Sequence, residues 1–150
     1  MKFELTFECE LPHPVERVWW ALTDRDALDG WFMQTDIAAS LGARFTIRGA
    51  PEGAWRGWTA CRILDMLPHQ RIVWSFDAED GFEPTTVTFN LTPKGRSTHL
   101  RLTHAGAASP EIAGQLGRGW PSFLARLSPF LAEHARSGHS PQRTRCGDGP

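Results

Sequence analysis

The sequence predicts an α+β helix-grip fold: a curved antiparallel sheet wrapped around a long C-terminal helix, with two short helices after the first strand. Three observations carry that expectation. Residues 1–11 alternate, with Phe3, Leu5, Phe7, Cys9 and Leu11 on one parity and Lys2, Glu4, Thr6, Glu8 and Glu10 on the other, as in a half-buried strand. Residues 32–104 repeat that period of two in short runs separated by Gly, Pro and Asp. From Pro110 the apolar spacing changes to three and four, the period of a helix face.

After the first strand the chain breaks at Pro12. Pro14 suits a first helical position, and Glu16 complements the positive end of the helix dipole. A helix is therefore expected from about His13, with Val15, Val18, Trp19 and Leu22 on one buried stripe and Trp20 off it, about 100° round from Trp19. Trp20 is left as a partner contact, a pocket mouth or an ordinary exposed aromatic. A second short helix follows, with Thr23 and Asp26 resembling a capping pair and Gly30 as its stop before Trp31 and Phe32.

A turn at Leu41-Gly42 precedes a strand in which Phe45 and Ile47 face one way. Trp55 to Met66 reads as a long strand whose faces cannot be assigned, because both parities are apolar. Ile72, Trp74 and Phe76 form the next inward set, ended by a turn at 78–81. Thr85, Val87, Phe89 and Leu91 follow, and the turn at 93–97 leads to Leu100, Leu102 and His104. Short connections between such strands mean an antiparallel meander.

In the last apolar run, Ile112, Leu116, Trp120, Phe123, Leu124, Leu127, Phe130 and Leu131 share one helix face. Twenty to 25 helical residues would span about 30–37 Å, enough to cross a sheet. Pro121 is expected to bend the helix or to begin its well-formed part, and Pro129 to kink or end it near Leu127. The domain is assigned to residues 1–136, and the polar stretch at 137–150 is read as a flexible tail. Its Arg143 and Arg145 are read as solubilising charge.

A chain of 150 residues with 41% hydrophobic content can build a core, and a cavity within it, without disulfides or metal. Near-neutral charge, −1 overall, argues against a nucleic-acid partner held through phosphates. No apolar run reaches the roughly 20 residues of a membrane span, and the protein is expected in the cytoplasm. Cys9, Cys61 and Cys146 are odd in number and lack paired spacing, so free thiols are expected, with no metal site and no cofactor. No nucleophile, P-loop or dinucleotide motif is present.

The run PHPVERVWWALTDRDALDGWF at 12–32 resembles the opening of the domain similar to the C-terminal part of the activator of Hsp90 ATPase, in the START and Bet v 1-like (SRPBCC) superfamily. Further resemblance lies at 57–76, in T-x-V-T-F-x-L-T-P at 85–93, in T-x-L-x-L-T-H at 98–104 and at Gly119-Trp120. It covers residues 3–134. The resemblance implies an apolar cavity between sheet and helix that holds a small hydrophobic molecule. Alternatives are a chaperone-associated interaction module and a cyclase or hydrolase-like enzyme, and a homodimer or a chaperone is the protein contact to consider. The glycine-rich loop of plant members with nucleotide activity is missing: the corresponding turn has only Gly42.

On that basis the candidate ligand-binding residues are Phe45, Trp58, Trp74, Phe76, Phe89, Leu91, Leu102, His104, Trp120 and Leu124. Each aromatic has a plainer reading as core filling, which for any single one is the better account. His104, inward with Leu102, could be a general acid or base, but a histidine satisfied by hydrogen bonds near the sheet end is preferred. His13, His69, His99, His134 and His139 share no ligand spacing and are read as surface residues.

Overall fold

The computed structural model describes residues 1–134, so the stretch at 137–150, with Cys146, Arg143 and Arg145, lies outside the described residues. Strand β1 (Lys2–Leu11) is followed by helices α1 (Val15–Thr23) and α2 (Arg25–Trp31), strands β2 (Gln34–Thr35), β3 (Arg44–Arg48), β4 (Trp58–Leu67), β5 (Arg71–Asp77), β6 (Thr85–Lys94) and β7 (Ser97–Ala107), and helix α3 (Pro110–Glu133). All seven strands form one antiparallel, curved sheet in the order β1-β7-β6-β5-β4-β3-β2. The α+β helix-grip expectation holds.

The period of two is realised strand by strand. Phe45 and Ile47, Ile72, Trp74 and Phe76, Val87, Phe89 and Leu91, and Leu100 and Leu102 are all buried on the face that α3 covers. β4 resisted a face assignment because its register with β5 shifts between Ile63 and Asp65. That irregularity leaves Leu64 exposed and moves the following residues to the opposite parity, as a bulge does. The strand also begins at Trp58 rather than Trp55.

Several expected helix details are corrected. The cap of α2 is Asp24, whose carboxylate accepts from Ala27 N at 3.0 Å, while Thr23 instead donates back to Trp19 O at 2.8 Å. Gly30 lies inside α2. A Cβ there would sit 2.4 Å from Phe130 Cε1, so its bareness serves the packing of α3 rather than a helix stop. Trp20 stacks on Phe130, with centroids 5.6 Å apart and planes at 13°, and Arg17 lies over its ring. It fastens α1 to the end of α3.

Pro129 does not end α3, and Pro121 neither begins nor ends it. Each proline costs about 3 kcal/mol in a helix interior. Past Pro121, however, Leu124, Leu127, Phe130 and Leu131 are buried, each worth about 1.5–3 kcal/mol. Packing therefore carries the helix through both positions. Cys61 is a free, buried thiol, and burial pushes it well above its ordinary range. Cys9 is disulfide-bonded, which corrects the expectation of free thiols at that position. No helix among the described residues is long and apolar enough to cross a membrane.

Candidate functional site

The inward histidine sits at the centre of a closed polar chain. Trp120 Nε1 donates to His104 Nδ1 at 3.0 Å, and because an indole N–H can only donate, Nδ1 must be the unprotonated nitrogen. The proton of neutral His104 is thus on Nε2, facing Thr85 Oγ1 at 2.7 Å, and the Thr85 hydroxyl in turn donates a hydrogen bond to Phe76 O at 3.0 Å. Gly106, at φ +149, permits this approach, since a Cβ there would lie 2.7 Å from Thr85 Cγ2. His104 is fully buried, between the ring edges of Phe3 and Phe76, and desolvation depresses its pKa to about 3. Both ring nitrogens are engaged by the protein. The preferred reading of a satisfied histidine fits this arrangement, with side chains as its partners rather than the backbone leading into α3.

Beside that chain the protein opens into a cleft of about 500 Å³. One wall is α3 from Ile112 to Arg126. Opposite are the loop at 49–57 and the end of β5, and Phe32 closes one side. Phe32 is held there by a parallel stack on Trp120 (5.3 Å, 2°) and an edge contact with Phe123 (4.7 Å). On the loop side Trp55 anchors itself by donating from Nε1 to Thr59 Oγ1 at 3.0 Å. Gln115 ties helix to loop by donating to Glu52 O at 2.8 Å, and its buried Oε1 has no donor among the described residues.

Of the ten candidates, Phe76 and Trp120 line this cleft. Phe45, Trp74 and Phe89 interlock edge to face behind it, with Phe45–Trp74 and Trp74–Phe89 centroids 5.3 and 4.8 Å apart. Leu91, Leu102, His104 and Leu124 are buried in the same core. Trp58 lies elsewhere: it is 41% exposed, with the Arg56 guanidinium 3.5 Å over its ring. Phe32, Trp55, Thr59, Gln115 and Phe123 also line it without having been singled out as site residues. Phe123 was on the readable apolar face of the last helix. Trp55 and Thr59 belong to a segment where loop and strand were not separable by period.

Among the described residues no group of three or more His, Cys, Asp or Glu could hold a metal. His13 is buried, contrary to its surface reading. Its pKa is lowered by burial and then by Arg17. On the outer face, His99 on β7 bridges Glu8 and Glu10 on β1.

Comparison with known structures agrees with this architecture. Protein MLL2253 from Mesorhizobium loti is 28% identical, with a TM-score of 0.77 over 88% of this chain and 98% of its own. CalU16 from Micromonospora echinospora is 25% identical, with a TM-score of 0.73 over 87% and 77%. The Aha1 dimer from Colwellia psychrerythraea, at 19% identity and a TM-score of 0.74 over 86% and 96%, shares the fold. No curated protein sequence matches. The family model for Activator of Hsp90 ATPase homolog 1-like protein matches residues 12–132, and the chain belongs to that family.

Proposed function

We propose that the protein binds a small hydrophobic molecule in the cleft between α3 and the sheet. The observation that supports this reading is a volume of about 500 Å³ lined by Phe32, Trp55, Phe76, Trp120 and Phe123. That volume lies within the range of small-molecule sites, which are mainly apolar with a few placed polar groups. Flat or elongated apolar bodies fit a wall of aromatic rings, and Gln115 and Thr59 are among the few polar groups beside it. The buried Trp74 and Phe89 would act behind the wall, keeping Trp120 and Phe32 in place.

Mass spectrometry of the gently purified protein should find a co-purifying small molecule, and an environment-sensitive dye should report a saturable site. A Gly119→Leu change, which places a side chain in the cleft, should weaken the dye by about tenfold. No bound mass together with no dye site would remove the reading.

A second reading, contact with an Hsp90-type chaperone, draws on the family's description. Recovery of that chaperone in a pull-down, with a changed ATPase rate, would favour it. Acid–base catalysis through His104 is the weakest alternative, because both ring nitrogens are already hydrogen-bonded within the protein.

A further inference from the structure

The cleft's apolar walls end in a rim of positive charge. Arg118, Ser122 and Arg126 all line it from α3; they fall four residues apart, on one ridge of the helix, and span about 12 Å. Arg126 lies against the ring of Phe123, with its Cζ 5.5 Å from the centroid, so a guanidinium borders the aromatic wall directly. Among the described residues neither arginine is paired with a carboxylate. The lining thus carries two arginines against a single carboxylate, Glu52, in a chain whose net charge is −1. A neutral ligand would leave both guanidinium groups without an anionic partner. A carboxylate can be gripped by the guanidinium fork in charge-assisted hydrogen bonds.

Resting on the binding reading above, we infer that the occupant is an amphipathic organic anion: its apolar body lies against Phe32, Trp120 and Phe123, and its carboxylate sits at the rim formed by Arg118 and Arg126. Because the rim faces solvent, each ion pair is modest and sensitive to salt. The charge therefore selects among apolar ligands rather than driving binding by itself.

Calorimetric titration with matched pairs tests this directly: 2-naphthaleneacetate against its methyl ester, and decanoate against methyl decanoate. The acids are expected to bind about fivefold more tightly than their esters at low salt. That ratio should fall towards one in Arg118→Gln/Arg126→Gln and shrink in high salt. Arg101→Gln, on the exposed face of β7, should leave the ratio as it is. If esters and acids bind equally well, or the ratio survives the double substitution, the anionic assignment is overturned while hydrophobic binding stands. Failure of all four probes to bind would overturn both.

Discussion

An indole N–H can only donate, and at residue scale that one fact sets the protonation of the most enclosed imidazole. With Trp120 donating to Nδ1 and desolvation opposing charge, His104 stays neutral down to about pH 3. In the unfolded chain an ordinary histidine takes up a proton near pH 6.5. Between those two values the unfolded state binds more protons, so stability is complete above about 6.5 and falls as the pH drops towards 3, by at most about 1.4 kcal/mol per pH unit. His13, also lowered, acts in the same sense. His99 acts oppositely: hydrogen bonds to Glu10 and Glu8 raise it, so its contribution is present below its unfolded pKa and lost as the pH rises through the folded one. A His104→Gln variant keeps hydrogen-bonding capacity without titrating. Denaturant unfolding at several pH values should give it a shallower acid loss than the wild type. Equal slopes would mean that His104 is not the residue responsible.

The elements show which parts of a fold alternation can and cannot report. Wherever one sheet face is buried and the other wet, as in β3, β5, β6 and β7, parity in the sequence marked the inward residues correctly, because a one-residue slip would invert them all. β4 was opaque for a local reason: the register shift between Ile63 and Asp65 changes parity within the strand. Gly30 was opaque for a tertiary one. As a residue it looks like a helix stop, and only the ring of Phe130 beyond it explains why a side chain is absent. Gly30→Ala should therefore destabilise the protein by about 1–3 kcal/mol through overpacking, despite alanine's better helix propensity of about 1 kcal/mol. Adding Phe130→Leu should recover part of that loss in a double-mutant cycle. An additive pair would show that the two positions do not meet. The cleft was legible only in part for a related reason. Phe76 and Trp120 lie on periodic elements, whereas Trp55 and Phe32 are positioned by a loop and a helix end that follow no period.

Over the whole molecule, stability and opening are divided between the sheet and α3. The strands are joined by continuous ladders, with β7 paired along β1 and β6, and their inward rings interlock. The cleft-lining half of α3 is built differently, with Gly114, Gly117, Gly119 and Pro121 within eight residues. Packing does not demand all of these glycines: a Cβ at Gly117 would meet nothing nearer than Leu5 Cδ2 at 4.0 Å. Gly117→Ala is thus expected to stabilise the protein by about 0.5–1 kcal/mol, by restricting the unfolded chain and favouring the helix. A glycine lowers the local stability of a helix, and local opening free energies are read by amide hydrogen exchange. In the wild type, amides between Gly114 and Trp120 should exchange well before those of β6 and β7, and Gly117→Ala should slow them selectively. If a ligand enters by displacement of this wall, the same variant should slow association while leaving the bound state at least as tight. Exchange as slow in this half of α3 as in the central strands would place the opening of the cleft elsewhere, in the loop at 49–57.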